Sequence, residues 1–364
     1  MIETPTTLAI GADALATTVP LWERLAAAEA PPPFQTWGWA RMWLANLGGD
    51  GEPWLALVGE PASGLLPLFL RRVHGLRILS LIGHGTSDYL GPLGSARDPA
   101  ALFAIGRRLR SVARRFDLVD LLSLQADAAQ RAALANGLGG GARDRIYERC
   151  PYVRIEGSWQ QYLATRSTRQ RKHLKQFARR LEDPDLVVAS EPATPAVFEE
   201  LVEVERNSWK WEHGISALRD PRRRAFLREL LTGSSLPHEL WTCRETSVLR
   251  AFAIILRGAR TRYYYLPTHR TDAPGVGNLL LFALLRDSFE TGVAEFDFLQ
   301  GDEAYKSKWA NAERMAHQLV AAGGGLLGLP ALAAVRGRWW LAGSPRLRRL
   351  RSRWLTRLAP PRVE

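Results

Sequence analysis

The sequence predicts a mixed α/β protein built from two related units, each with an α+β arrangement around a mixed sheet, followed by a basic helical tail. In each half, helices precede three consecutive strand patterns, a helix and a further strand. The glycine-rich segment 137–141 separates the two halves. With 46% hydrophobic and 24% charged residues, the 364-residue chain is typical of a globular protein. We therefore expect units at residues 1–150 and 151–325 and a tail at 326–364.

The elements of the first unit follow from apolar periodicity and from glycine and proline breaks. Apolar residues at three- and four-residue spacing predict helices at 19–30, 37–47, 99–116 and 128–135. Aliphatic runs predict strands over WLALVGE, GLLPLFLRR, LRILSLIGH and LVDLLSL.

The second unit repeats this order with more helices at its start. The same criteria predict helices at 159–163, 167–182, 195–211, 221–231 and 279–292. Strands are predicted over YVRI, LVVAS, HELWTCRE, SVLRAFAIIL, ARTRYYYLP, EFDFL and HQLVAA.

The formal charge of +12 is concentrated in the tail. The net charge is +1 over residues 1–150, +3 over 151–325 and +8 over 326–364. The body of the protein is therefore close to neutral, which argues against a chain whose whole surface binds nucleic acid.

Several classes of protein lack support in the sequence. Cys150 and Cys243 are too few for a disulfide framework, and no CxxC motif or Cys/His cluster predicts a metal site. The N-terminus lacks the basic and apolar regions of a secretory signal. The longest uncharged stretch, 318–335, contains four glycines and Pro330, so we expect a strand and a loop rather than a membrane span. No Ser-His-Asp order, HExxH motif or Walker loop favours a hydrolase or an NTPase.

A glycine turn lies between a strand pattern and an apolar helix. Gly275, Val276, Gly277 and Asn278 open this helix. Glycines at such a turn let the backbone approach a ligand, and the helix N–H groups favour an anion such as pyrophosphate. An ordinary tight turn would leave the same pattern, so both interpretations stay open.

The segment EFDFLQGDEAYKSKW places several ionisable side chains at one strand end. They are Asp297, Asp302, Glu303, Tyr305 and Lys306. Carboxylates beside a lysine and a tyrosine can deprotonate an amine nucleophile or relay its proton. The alternative is a helix start in which Asp302 is the cap and Glu303 pairs with Lys306.

Other candidates carry less weight. Trp209 and Lys210 are placed to line an acceptor cleft, although tryptophans at helical spacing more often pack in a core. His84, Asp88 and Tyr89 follow a strand of the first unit and are expected to face the cleft between the units, with an ordinary loop histidine as the alternative.

Taken together, these segments resemble the GNAT acyltransferase superfamily. The resemblance rests on Pro274-Gly275-x-Gly277, a helix, and then Glu295-Phe296-Asp297-Phe298-Leu299-x-Gly301-Asp302-Glu303-x-Tyr305-Lys306. Within the superfamily, the chain resembles the CelD-like branch, associated with bacterial polysaccharide biosynthesis and related to the Fem peptidyltransferases. Supporting matches are Glu205…Ser208-Trp209-Lys210, residues 34–43 and Ser87-Asp88-Tyr89-Leu90.

The resemblance implies two tandem GNAT-like domains and acyl transfer from acetyl-CoA or a longer acyl-CoA. The acceptor would be an amine, in preference to a hydroxyl, of a sugar, polysaccharide or lipid-linked precursor. Such an enzyme holds the thioester against the acceptor and polarises its carbonyl with a backbone N–H. No metal is expected.

The resemblance also implies roles for individual residues. Asp302 and Glu303 would act as base or proton relay, Tyr305 would protonate the leaving thiolate, and Lys306 would bind an anionic group. The remaining roles are donor binding by Gly275, Val276, Gly277, Asn278 and Arg270, and substrate binding by Trp209, Lys210, Asp297, Asp88 and Tyr89.

One position departs from the GNAT pattern. Asp272 occupies the place where the phosphate loop commonly has Arg or Gln. A carboxylate there would repel phosphates unless it points away and Arg270 substitutes. The departure keeps open a Fem-like enzyme that uses aminoacyl-tRNA, and a non-catalytic GNAT fold that acts as a binding module.

The helix predicted at 167–182 is strongly basic. Its cationic residues, with no acid between them, are Arg166, Arg169, Arg171, Lys172, Lys175, Arg179 and Arg180. This pattern is consistent with binding of RNA, a nucleotide-sugar or an acidic glycan, and equally with a solvated helix.

The tail has an amphipathic pattern. Leu347, Leu350, Trp354, Leu355 and Leu358 recur at helical spacing between arginines. Residues 345–358 therefore resemble an anchor that contacts an anionic membrane surface, with docking on the enzyme or disorder as alternatives. We expect a cytoplasmic protein, held peripherally at the inner membrane if this anchor operates.

Overall fold

The computed structural model describes residues 4–139 and 141–343, and its main feature is one sheet of thirteen strands. The strands are β1 (Thr6–Ile10), β2 (Glu52–Val58), β3 (Gly64–Val73), β4 (Leu76–Leu81), β5 (Leu93–Gly94), β6 (Leu118–Leu124), β7 (Arg143–Arg154), β8 (Leu186–Glu191), β9 (His238–Glu245), β10 (Val248–Arg257), β11 (Thr261–His269), β12 (Glu295–Asp297) and β13 (Ala312–Ala322).

Twelve α-helices lie among the described residues and cover the sheet. They are α1 (Ala12–Glu29), α2 (Trp37–Asn46), α3 (Pro99–Ser111), α4 (Ala128–Leu138), α5 (Trp159–Ala164), α6 (Thr168–Arg180), α7 (Pro195–Arg206), α8 (Trp209–Glu212), α9 (Pro221–Thr232), α10 (Val276–Glu290), α11 (Ala304–Trp309) and α12 (Gly328–Gly343). None of these described helices is both long enough and apolar enough to cross a membrane.

The order of the strands repeats on the two sides of the sheet. One side reads β1-β2-β3-β4-β6 and the other β8-β9-β10-β11-β12, and β13 and β7 lie between them. Each side has one parallel pair, β4 with β6 and β11 with β12, joined through a helical crossover as parallel strands require. The predicted α/β class and the predicted relation between the two halves are confirmed.

The two halves share their central strands. β7 pairs with β13 and β12, and β13 pairs with both β6 and β7. The boundary predicted at 150/151 therefore falls inside β7. The sequence predicted a strand only over YVRI because the first part of β7 alternates charged and half-exposed residues, whereas Cys150–Val153 is buried.

Apolar packing also joins the two halves. The ring of Trp39 lies 5.0 Å from that of Phe226, and the ring of Phe34 lies 6.0 Å from that of Tyr263. Because these aromatic pairs cross between the units and are buried in one cluster, the units are fixed against each other.

The first described part of the tail packs on both units, against β4 and β6 of the first and β13 of the second. Ala331, Leu332 and Val335 of α12 are buried against Ile78 and Leu118. The amphipathic segment predicted at 345–358 lies outside the described residues.

Candidate active site

The site begins where two parallel strands separate. β11 pairs with β12 only from Thr261 to Tyr263 and then continues to His269, while β12 ends at Asp297. The chain after β12 instead follows β7, since Phe298 N–H donates to the carbonyl of Pro151. One edge of β11 is therefore left unpaired and faces a cavity of about 370 Å³, named here the β11–β12 cavity.

The β11–β12 cavity collects most of the predicted site residues. Those that line it are Asp88, Trp209, Lys210, Gly275, Gly277, Asn278, Glu303, Tyr305 and Lys306. The structure does not bring Arg270, Val276, Asp297, Asp302 or Tyr89 to its wall. Open α/β sheets bind ligands at the carboxyl ends of strands, which is where this cavity lies.

The N-terminus of α10 forms one wall. Gly275 has a φ of 81°, a left-handed conformation that glycine adopts without steric cost. At Gly277 a Cβ atom would lie 2.8 Å from His269 Nδ1, so a larger residue would push that ring aside. Leu279 N–H is the first to bond back, to the carbonyl of Gly275, so the preceding N–H groups are available to an anion. The side chain of Val276 is buried in the core.

The turn after β12 forms another wall. Lys306 is buried, donates to the carbonyl of Gln300 (2.6 Å) and pairs with Glu303 (2.9 Å). The predicted Glu303–Lys306 pair is confirmed, but Glu303 rather than Asp302 is the cap residue of α11, and it makes no side-chain cap bond. Asp302 is exposed and lines a neighbouring groove with Arg149 and Glu313. Glu303 lines both this groove and the β11–β12 cavity.

Tyr305 reaches the cavity from α11. Burial and the neighbouring Glu303 raise the pKa of its phenol, so the hydroxyl keeps its proton at neutral pH. It can therefore donate a hydrogen bond inside the cavity.

A second cavity, of about 240 Å³, meets the first at Asp88. This inter-unit cavity lies between the halves and is lined by Thr86, Ser87, Leu122, Ser123, Tyr147, Ala217, Arg223, Phe226 and others. Four residues line both cavities: Asp88, Tyr265, Leu266 and Gln300. Asp88 is therefore accessible from both sides.

The environment of Asp88 favours proton exchange near neutral pH. Its Oδ1 accepts a bond from Gln300 N–H (3.2 Å), and the Gln300 side chain donates to Ser123 Oγ (3.0 Å). Burial raises the pKa of Asp88 to about 7, and the charges of Asp297 and Glu303 act in the same direction against Lys306. A carboxyl with such a pKa can accept a proton from an amine or hydroxyl.

Comparison with known proteins identifies the fold. Residues 168–307 match the family model of the acetyltransferase (GNAT) domain. This stretch of the second half is therefore similar to GNAT domains. No curated protein sequence matches the chain.

Solved structures with a similar fold align with most of the chain. FemX is 11% identical (TM-score 0.57, 81% of this chain and 94% of FemX). The C-terminal domain of an Agrobacterium fabrum protein, provisionally named a lysylphosphatidylglycerol synthetase, is 13% identical (TM-score 0.55, 88% and 96%). L-PGS from Bacillus licheniformis is 15% identical (TM-score 0.50, 79% and 89%). At these identities the likeness shows the fold alone.

The turn predicted to bind phosphate neutralises its own carboxylate. Arg270 donates two hydrogen bonds to Asp272 (2.9 and 2.8 Å), and Arg250 lies 3.9 Å from the same carboxylate. The hydrogen bond from Arg270 lowers the pKa of Asp272. Arg270 is therefore held by Asp272. Arg180 of α6 pairs with Glu245 (3.6 Å) and also approaches Gly275, with Nη1 3.8 Å from where a Cβ would stand.

A break between α7 and α8 positions two of the predicted site residues. The sequence predicted one helix over 195–211, but α7 ends at Arg206 and the buried Ser208 caps α8 by accepting from Trp211 N–H. The new helix places Lys210 against β11 and leaves Trp209 43% exposed at the cavity. Trp209 packs edge-on against His213 rather than in the core.

Three further residues lie at the site, although no role was predicted for them from the sequence: Glu205, Thr268 and His269. Lys210 Nζ donates to the carbonyl of Pro267 and to Thr268 Oγ1 (3.2 Å), and Thr268 donates to the buried Glu205. His269 also lines the cavity, and burial, with Lys210, lowers its pKa. Glu205 had a signal in the sequence, its spacing to Ser208-Trp209-Lys210, whereas Thr268 and His269 lie in an ordinary strand pattern.

Asp297 and Tyr89 form a buried contact that joins the two halves of the protein. Tyr89 donates to Asp297 (2.9 Å), which also accepts from Leu299 N–H (2.7 Å), and both side chains are buried. Burial raises the pKa of Asp297 to about 6. Within the described residues, no group of three or more His, Cys, Asp or Glu side chains could hold a metal ion.

Proposed function

We propose that the protein transfers an acyl group from an acyl-CoA thioester to an amine, in preference to a hydroxyl. The observation that carries this proposal is the meeting of the two cavities at Asp88. One cavity would hold the donor, the other the acceptor, and Asp88 would stand where the acceptor nitrogen meets the carbonyl carbon.

The β11–β12 cavity suits a thioester donor with a long polar arm. The N-terminus of α10 offers N–H groups to a pyrophosphate, and Arg180 adds positive charge beside them. The unpaired edge of β11 offers backbone groups to an extended amide chain, as a sheet edge does to an added strand. Acetyl-CoA and longer acyl-CoAs share both features.

Asp88 is the base in this proposal. The acceptor nitrogen attacks the thioester carbonyl carbon and gives its proton to Asp88, and the C–S bond then breaks to release the thiolate. Tyr305 donates a hydrogen bond to the leaving sulfur. General-base catalysis of this kind is worth about 10²–10⁴ in rate. Asp302 lies outside both cavities and takes no part in the proposed mechanism.

The acceptor we propose is a sugar, a polysaccharide or a lipid-linked precursor, as in the CelD-like branch. The inter-unit cavity supports this choice through its polar lining of Thr86, Ser123, Tyr147 and Arg223. We further propose that residues 345–358 hold the enzyme at the inner face of a membrane. Flotation with anionic liposomes, with and without residues 344–364, tests this attachment, and equal recovery of both chains in the soluble fraction would exclude it.

A Fem-like transfer from aminoacyl-tRNA is the second candidate. The observation that favours it is the exposed face of α6, where Arg169, Arg171, Lys172, Lys175 and Arg179 form no ion pair with any described residue. Such a face suits a phosphate backbone, and its binding would weaken steeply with salt.

Calorimetry and a thiol-release assay separate the candidates. We expect micromolar binding of an acyl-CoA and enzyme-dependent thiol release with an amine acceptor. Binding of RNA without binding of CoA would replace the first proposal with the second. Binding of either ligand without turnover would favour a non-catalytic module.

A further inference from the structure

We infer that Lys210 supplies the hydrogen-bond donor that stabilises the oxyanion of the tetrahedral intermediate. The inference rests on the proposed acyl transfer and adds to it a residue that acts on the reacting carbonyl. Its basis is the backbone of β11 at Pro267.

The edge of β11 that faces the cavity lacks an N–H at a central position. Arg270 N–H donates to the carbonyl of Arg250 in β10. Because backbone groups point to alternate edges along a strand, the backbone of residue 267 faces away from β10 and toward the cavity that it lines. Residue 267 is proline, which has no N–H. A backbone donor is therefore missing beside the place where the thioester carbonyl would lie.

The ammonium of Lys210 occupies the space beside this gap. Two of its N–H groups point to the carbonyl of Pro267 and to Thr268 Oγ1. An ammonium has three N–H groups, and the third makes no hydrogen bond with any described residue. Since Lys210 lines the cavity, this third N–H is available to a ligand oxygen.

Two carboxylates near Lys210 favour the protonated state that this role needs. Glu205 is fully buried, accepts a bond from Thr268, and its Oε2 has no hydrogen-bond partner among the described residues. Burial lowers the pKa of Lys210, and the charges of Glu205 and Glu303 oppose that change. When the carbonyl oxygen gains negative charge, a cation already fixed beside it stabilises the intermediate without reorganisation.

The test is steady-state thiol release by the full chain, with acetyl-CoA as donor and hydroxylamine as a small amine acceptor. We expect Lys210→Met to lower kcat by about 10²–10³-fold, the cost of losing one oxyanion donor, while the Kd of CoA changes by less than about threefold. Lys308→Met, which removes an exposed lysine of α11 outside the cavity, is the matched control and keeps the wild-type kcat.

Two further variants separate this role from others. Lys210→Arg keeps a charged hydrogen-bond donor, so we expect it to retain part of the rate. If Lys210 instead accepted a proton, arginine could not replace it and the rate would be lost. Pro267→Ala restores a backbone N–H at the edge of β11. We expect the double variant Lys210→Met/Pro267→Ala to have a kcat at least about tenfold higher than that of Lys210→Met alone. If Lys210 had only a structural role, the second substitution would not raise kcat.

Several results would overturn the inference. They are a kcat of Lys210→Met within threefold of wild type, a loss confined to KM, or no recovery with Pro267→Ala in protein that melts normally. If the wild-type chain itself releases no thiol above the uncatalysed rate, the proposed function fails and this inference fails with it. If the wild type and the Lys210→Met variant are equally active, the role of Lys210 is excluded and the proposed acyl transfer stands.

Discussion

Asp88, Asp302 and Glu303 are three carboxyls within one small region, and their surroundings give them different chemistry. Asp88 is desolvated between two cavities, Asp302 is exposed in a neighbouring groove, and Glu303 neutralises the buried Lys306. The sequence could show that acids gather near a lysine and a tyrosine. It could not show which of them is desolvated, because Asp88 and Gln300 meet only through the fold.

Substitution of Asp302 and Glu303 distinguishes these surroundings. The charge of Glu303 raises the pKa of Asp88, so Glu303→Gln should move the rising limb of the pH–rate profile to lower pH. Asp302→Asn should leave that limb in place and keep the rate within about twofold, since exposed residues away from a site have small effects. Rates measured between pH 5 and 9 check both. A shift with Asp302→Asn alone would contradict this assignment.

At the scale of elements, the sequence predicted most helices and strands. The predictions failed where contacts between distant parts of the chain determine where an element begins or ends. The GxGN turn and the apolar helix α10 were foreseen, because glycine placement and periodicity are local signals. The break at Ser208 was missed because the apolar periodicity continues across it. The full length of β7 was missed because its partners β12 and β13 lie more than 130 residues away in sequence.

The two ends of α10 offer a matched pair of glycines. Gly275 (φ 81°) and Gly292 (φ 71°) are both left-handed, so alanine at either should destabilise the fold by about 1 kcal/mol. Only Gly275 lies at the cavity, so Gly275→Ala should also raise the Kd of acyl-CoA by about tenfold, equivalent to 1.4 kcal/mol.

Thermal melting and calorimetry of the two variants check this pair. An equal loss of donor affinity in Gly292→Ala would show that the change acts through stability, and the phosphate-loop assignment of α10 would then be wrong.

At the scale of the whole molecule, one continuous sheet and a buried polar contact join the two halves. Because β13 lies between β6 and β7, neither half can complete its sheet alone. The sequence indicated two related units from their common order of elements. It could not indicate that they share their central strands, because the pairing of β7 with β13 leaves no local sequence pattern.

Tyr89→Phe tests the contact between the halves. The substitution removes a hydrogen bond to the buried Asp297 and should lower the free energy of unfolding by about 1.5–3 kcal/mol. Tyr147→Phe, at a half-buried tyrosine, serves as control and should change it by less than about 0.5 kcal/mol. Denaturant titration measures both, and equal stability of the two variants would argue against an interface role for Tyr89.

The central claim, that Asp88 is the base where donor and acceptor cavities meet, is tested most directly by the pH–rate profile of Asp88→Asn against wild type. For wild type we predict that kcat/KM rises with pH through an apparent pKa of about 7, because Asp88 must lose its proton to act. Asp88→Asn should lose about 10²–10⁴ in rate and also lose this limb. An Asp88→Asn variant that keeps both the rate and the limb would contradict the account.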